Sequence, residues 1–237
     1  MNADLYHPAC CSPLQDHWPL PQLLAGCQLL SCEFDPLLLQ AADFQLAGID
    51  PPKGVAKRQS EFLAGRLCAR QALQQLTGHA TVPAVGVDRA PCWPSGVVGS
   101  ISHGDGWAGA VVGQQIDWRG LGLDLERLLS PARAQRLQTS ILTPAELQRL
   151  AQLPAEQQAW RVSLTFSLKE SLFKALYPLV RQQFYFQDAE LLGYDPAGFA
   201  QLQLLRDLGP DWPAGSRCDG QFVQLGERVL SLVSIAI

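Results

Sequence analysis

No run in this sequence approaches the roughly 18 consecutive apolar residues that a membrane-spanning helix needs. The opening stretch MNADLYHPACC has no basic segment leading into an apolar one. The expectation is a cytoplasmic protein without membrane contact. The seven cysteines, Cys10, Cys11, Cys27, Cys32, Cys68, Cys92 and Cys218, include no C-x-x-C pair and are odd in number. They read as reduced, buried or incidental thiols. A surplus of positive charge is missing too: a net charge of −4 and a pI near 5.5 argue against nucleic acid as a general partner. G-x-x-x-x-G-K-[ST] does not occur, and the G-x-G-x-x-G at 104–109 falls in the turn between two strand-like stretches rather than ahead of a helix, so a standard nucleotide loop is excluded. Without a G-x-S-x-G elbow, the adjacent Ser102 and His103 have no reason to face each other as parts of a hydrolase triad.

What is present is globular. Hydrophobic residues make up 47% of the chain and charged ones 17%, and 237 residues suffice for one large domain or two small ones. The first fifty residues, rich in leucine, proline and cysteine, show no clean period and read as short strands and turns. From Val55 to Leu76 helix formers dominate, apolar residues recur at Phe62, Ala69, Leu73 and Leu76, and Gly78 supplies a stop. This region is locally basic, with Lys53, Lys57, Arg58, Arg66 and Arg70 against the single acid Glu61. Arg58, Arg66 and Arg70 share one sector of that helix, roughly 120° wide. By spacing alone, a solvated face accounts for them.

The segment GVVGSISHGDGWAGAVVG reads as two strands joined by a tight turn at residues 103–106, with Ser102 and His103 at its mouth. GLGLDLERLL alternates, Leu121, Leu123 and Leu125 on one face and Gly122, Asp124 and Glu126 on the other, which predicts a half-buried strand. Thr143, Pro144 and Glu146 form a capping-box pattern that opens a helix. A further helix is expected from Trp160 to Tyr177, ending ahead of Pro178, and the C-terminal VLSLVSIAI alternates as a last strand.

Asp124 and Glu126 lie ~7 Å apart along one strand face and can converge on one hard cation. Taken alone, the wet face of a strand explains them as well. Glu170 projects beside Phe166, Phe173 and Tyr177, along the apolar stripe of its helix, where an isolated charge is costly. Lys174, one turn on, is its candidate partner. Magnesium favours a few carboxylates with water and phosphate oxygens, and Glu170 would supply a third acid. His103 could donate to a phosphate oxygen, or be a turn residue with no role.

Taken in order, GSISH (99–103), GLDLE (122–126) and FSLKESLFKA (166–175) resemble the signature blocks of the 4′-phosphopantetheinyl transferase superfamily. LAGR (63–66) and RAPCWP (89–94) are similar to the additional blocks of its enterobactin synthase component D-like branch. The resemblance implies an α/β fold of two similar halves in a pseudo-dimer, residues 1–119 and 120–237, with coenzyme A in the cleft between them. It further implies a monomer that transfers 4′-phosphopantetheine from coenzyme A to a serine of an apo acyl or peptidyl carrier protein, releasing 3′,5′-ADP. Fatty-acid, siderophore or other secondary-metabolite synthases would supply that carrier.

Under the resemblance Asp124, Glu126 and Glu170 hold magnesium, Glu170 takes the serine proton, and Lys174 reaches the phosphates. Arg58, Arg66, Arg89 and His103 hold the diphosphate and the 3′-phosphate, while Pro91 and Ser102 line the nucleotide site. Arg127, Arg133 and Arg136 are candidates to meet an acidic carrier; a solvated helix face explains the same arginines. Two rivals differ in class. A magnesium-dependent phosphohydrolase using the same acids would need no carrier, and a non-catalytic module would keep its partner after loss of Asp124.

Overall fold

The computed structural model describes residues 6–237. The chain forms two compact units: residues up to Trp18 with Ala25–Gln115, and Pro19–Leu24 with Ile116–Ile237. The division falls at Gln115/Ile116 because the expected join near Arg119 lies inside a continuous strand, Trp118–Arg127.

In the first unit, β1 (Gln15–Asp16), β2 (Cys27–Glu33), α1 (Ala42–Ala47) and α2 (Ala56–Thr77) are followed by a short ribbon of β3 (Ala84–Val85) and β4 (Pro91–Cys92). The hairpin β5 (Val97–Gly104) and β6 (Trp107–Gln114) completes an antiparallel sheet of order β1-β2-β6-β5. Asp105 and Gly106 turn that hairpin with φ of 50° and 75°, the paired left-handed geometry that suits a two-residue connection. Helix α2 packs across the sheet, burying Leu63, Leu67, Cys68 and Leu73 against Leu30, Cys32, Ala108 and Ala110. It begins one residue later than expected, with Val55 as N-cap, and Gly78 ends it in the left-handed conformation. Strand β2 is one of the strands expected in the first fifty residues, and it lacks a clean period because CQLLSCE is buried on both faces and so does not alternate.

The second unit has a five-stranded antiparallel sheet of order β7-β11-β10-β9-β8. Its strands are β7 (Trp118–Arg127), β8 (Ala189–Tyr194), β9 (Phe199–Leu204), β10 (Arg217–Leu225) and β11 (Arg228–Ala236). Its helices are α3 (Pro131–Ile141), α4 (Pro144–Ala151) and α5 (Ala155–Val180). The capping box of α4 forms in full: Thr143 Oγ1 accepts from the Glu146 amide, and the Glu146 carboxylate accepts from the Thr143 amide. Helix α5 starts five residues before Trp160 and runs past Pro178 to Val180. Proline in the last turn removes only one intrahelical bond there, and Arg181 closes the helix in the left-handed region by donating to Tyr177 O.

Strand β7 departs from its expected half-buried state. Leu121, Leu123 and Leu125 are buried, and so is Asp124 on the opposite face, because α5 lies against that face. Glycine permits the close approach. A Cβ on Gly122 would collide with the Ser171 carbonyl, and one on Gly120 with the Ala175 carbonyl. The alternation of small and acidic residues that reads as a wet face is a helix-packing face.

Candidate active site

In the first unit, a cavity of about 880 Å³ opens beside α2 and β5 and is lined by Arg58, Phe62, Arg66, Arg89, Pro91 and His103 among others. Arg66 is 6% exposed, its guanidinium rests over the Phe62 ring at 4.8 Å, and its Nε is buried with no hydrogen-bond partner among the described residues. Burial lowers its pKa, and the Arg58 charge adds to that effect. An orphaned cationic N–H is costly unless an anion meets it, which fits a phosphate here. Arg58 Nη1 lies 3.3 Å from His103 Nε2, while Glu61 Oε2 lies 3.7 Å from His103 Nδ1. Facing the arginine, Nε2 acts as the acceptor, which leaves the ring proton on Nδ1 toward Glu61. Arg89 sits in the β3–β4 turn at φ 68°, a strained setting for a non-glycine residue.

One expected member of this group, Ser102, and one cation of the basic face of α2, Arg70, lie elsewhere. Ser102 is 3% exposed and, by strand alternation, faces away from Ile101 and His103, which border the cavity. Arg70, read as part of the basic face of α2, is 7% exposed and donates to the carbonyls of Ala47 and Tyr6. It ties α1 and the N-terminal segment to α2. Its sector looks basic in sequence because wheel geometry does not distinguish a cation facing water from one facing carbonyls.

In the second unit, Asp124 is 3% exposed on β7. Its Oδ1 accepts from Lys174 Nζ at 2.6 Å and its Oδ2 from Ser167 Oγ at 3.0 Å. Lys174 therefore meets Asp124, and also the Leu123 carbonyl at 3.0 Å, where the sequence pointed to Glu170. The strand brings a fully buried carboxylate under the helix, and a buried charge attracts the nearest cation more strongly than a half-exposed one.

Glu126 and Glu170 are half-buried and belong to the same electrostatic group. Burial, then the Asp124 carboxylate, lifts Glu126 to about 7, with Lys174 pulling the other way. Burial and Asp124 also raise Glu170. Among the described residues no set of three His, Cys, Asp or Glu side chains is closed into a ready metal cage. The carboxylates repel one another, and the Lys174 ammonium opposes that repulsion, with a smaller contribution from Arg133 at Glu126.

Beside Glu170 a cavity of about 210 Å³ is walled by Phe173, Phe184, Tyr185 and Phe186. Lys169, next in sequence, also borders this cavity, but its ammonium goes to interior partners. It is fully buried and donates to Glu146 Oε2 at 2.6 Å and to the Ile141 carbonyl at 2.9 Å. The motif's first lysine is thus structural, a role that no spacing in the sequence announced. On α3, Arg133 and Arg136 are exposed, whereas Arg127 on β7 pairs with Glu227 at 2.8 Å. No helix of the described residues is long and apolar enough to cross a membrane.

Comparison with known proteins identifies the family. Residues 50–113 match the model of the 4′-phosphopantetheinyl transferase N-terminal domain, and residues 120–221 that of the 4′-phosphopantetheinyl transferase superfamily. Enterobactin synthase component D of Escherichia coli strain K12 is 41% identical over 170 residues, covering 67% of this chain and 74% of the relative. The 4′-phosphopantetheinyl transferase Svp of Streptomyces mobaraensis is 39% identical over 171 residues, 71% of this chain and 67% of its own. The transferase PptT of Mycobacterium tuberculosis is 36% identical over 140 residues, 59% and 60% of the two chains. The phosphohydrolase alternative finds no support in these matches. This chain belongs to the 4′-phosphopantetheinyl transferase superfamily, enzymes that move the phosphopantetheine arm of coenzyme A onto a carrier protein.

Proposed function

We propose that the chain acts as a magnesium-dependent transferase in which Asp124, Glu126 and Glu170 hold the cation and Arg58, Arg66, Arg89 and His103 hold the phosphates of coenzyme A. The observation that carries this reading is the grouping of Asp124, Glu126 and Glu170 around one ammonium, with the two glutamates held above their ordinary range by burial and by Asp124. Such oxygen donors suit a small hard cation, so the residues present fit magnesium. When bound, the cation supplies charge neutralisation for the diphosphate.

The chain's own groups do the rest. The carrier serine hydroxyl attacks the β-phosphorus, the bridging P–O bond breaks, and 3′,5′-ADP leaves. Glu170 accepts the serine proton, a task matched to a carboxylate whose affinity for protons is raised above its ordinary value by burial and by Asp124. Lys174, held on Asp124, offers positive charge for the oxygens that gain charge. The orphaned Arg66 Nε supports a phosphate partner in the cavity of the first unit, with Pro91 in its wall.

The exposed Arg133 and Arg136 suit an acidic acyl or peptidyl carrier, of fatty-acid or siderophore synthesis. One chain bears both matched regions, which supports a working monomer. All seven cysteines are free thiols, in keeping with the cytoplasm. Incubation with coenzyme A, magnesium and a panel of apo-carrier domains, read by intact-protein mass, tests the reading. One phosphopantetheine mass on at least one carrier, abolished by a chelator, is expected; no addition on any fatty-acid or peptide-synthetase carrier would sink it.

Two further results are expected. His103→Ala and Arg66→Ala raise the KM for coenzyme A more than they lower kcat, because the phosphates they hold change little during transfer. An unchanged KM with a collapsed kcat would show them misplaced. Second, the cation binds more tightly as pH rises through about 7, because Glu126 is protonated and neutral below that value and ionised above it. Half-saturating magnesium measured at pH 6 and pH 8 checks the sign, and Glu126→Gln flattens the dependence.

A further inference from the structure

Behind Asp124 lie three serines with no assigned task. Ser167 and Ser171 are one turn apart on α5, and Ser231 stands on β11 directly opposite Asp124 in the ladder. All three have no solvent exposure. They interrupt a seam otherwise built from Leu164, Leu168, Leu172, Val229 and Val233, where apolar side chains would pack without needing partners.

Ser167 Oγ donates to Asp124 Oδ2 at 3.0 Å, the Ser167 and Ser231 hydroxyls are 2.7 Å apart, and those of Ser231 and Ser171 are 2.8 Å apart. The Ser171 hydroxyl also reaches the Ser231 carbonyl at 3.1 Å.

Proton accounting orders these contacts. An ionised carboxylate only accepts, so Ser167 gives its one proton to Asp124. The bond between Ser167 and Ser231 then requires Ser231 as donor, and the bond between Ser231 and Ser171 requires Ser171. The single Ser171 proton is shared between Ser231 Oγ at 2.8 Å and the more distant Ser231 carbonyl at 3.1 Å, and the chain has a single direction: Ser171 to Ser231 to Ser167 to Asp124. Bonds in such a chain polarise one another, and a fully satisfied buried network holds one arrangement.

We propose that Ser167, Ser231 and Ser171 are positioning residues of the transfer reaction, a directed hydroxyl chain that locks Asp124 by Oδ2 and so fixes its orientation toward the divalent cation. This rests on the reading of Asp124 as a cation ligand. Groups that orient a metal's ligands influence affinity through geometry, and their loss weakens binding by about 10–100-fold.

The test uses manganese as the probe, its binding to the full-length protein read by electron paramagnetic resonance, alongside melting temperature and the KM for coenzyme A. Ser167→Ala should weaken manganese binding by about 10-fold or more, Ser231→Ala by less and Ser171→Ala least, with the KM for coenzyme A within about twofold of normal. Ser231→Cys, which keeps a weak donor, should recover part of the loss. Equal burial of the three serines means that a purely structural role would lower the three melting temperatures alike and leave manganese binding unchanged, which would overturn the proposal. If Ser167→Ala does not fold, the order of the other two variants and the recovery by Ser231→Cys decide the matter. Asp124→Asn separates the premises. Normal manganese binding there overturns the cation-ligand reading; loss there with normal binding in every serine variant overturns the serine chain alone.

Discussion

Glu170→Gln lowers kcat by roughly 10²–10⁴ while the protein remains folded, because the substitution keeps the shape of the side chain and removes its capacity to take a proton. The loss has two sources. One is the missing proton acceptor for the carrier serine; the other is a missing negative ligand, which extra magnesium compensates only in part. Stability moves little or rises slightly, since burial and the Asp124 charge disfavour an ionised Glu170 in the folded state. The competing view makes Glu170 the ion-pair partner of Lys174, so that its loss would unfold the helix and spare turnover. Lys174 sits on Asp124 at 2.6 Å, so that view expects too much of Glu170. A folded Glu170→Gln enzyme with near-normal kcat at saturating magnesium would end the proposal that this carboxylate is the base.

The second large effect is on stability. Glu146→Ala costs about 3–5 kcal/mol, or about 6–20 °C in melting temperature for a chain of this size. Glu146 is 4% exposed and its carboxylate serves three donors, Lys169 Nζ, the Thr143 amide and the Leu191 amide at 2.6 Å, while its own amide closes the box on Thr143. Three amide and ammonium donors lose their acceptor at once, and the Lys169 ammonium remains in the interior without its paired carboxylate, with only the weaker influence of Glu190. Burial already lowers the pKa of Lys169, with Glu146 opposing it, so the variant drives Lys169 toward its neutral form. Lys169→Met in the Glu146→Ala background should restore a good part of the lost stability, because it removes the stranded charge. A Glu146→Ala protein that melts within a degree or two of the parent would show that water reaches Lys169.

Much of this architecture is readable from residues. The hairpin at 103–106 and helix α2 follow from turn chemistry, helix formers and a glycine stop, and the capping box at Thr143 forms with both bonds. Each is a local device whose physics fits within a few residues. What escapes such reading depends on what lies on the far side of an element. CQLLSCE is a strand although it does not alternate, because both of its faces are covered. Arg70 and Lys169 look like surface or site cations, and only the fold reveals the carbonyls and carboxylate that receive them. Lys174 illustrates the same point within the site: helical spacing offers Glu170 as partner, but the buried Asp124 arrives from a strand 50 residues earlier in the chain. Strands 122–126 and helix 166–175 carry legible chemistry, while their pairing is a tertiary fact.

Gly120 and Gly122 set the spacing of β7 and α5 by main-chain atoms alone. At these two positions the strand bearing Asp124 and the helix bearing Glu170 have no side chain between them whose size could drift. Substitutions elsewhere in the core can swell or shrink the layers on either side, and the gauge between the two carboxylates does not follow. Such a contact is tolerant of its surroundings and intolerant of itself: a directed-evolution library could vary the leucine seam widely, yet any side chain at position 122 would have to lift the whole helix from the sheet.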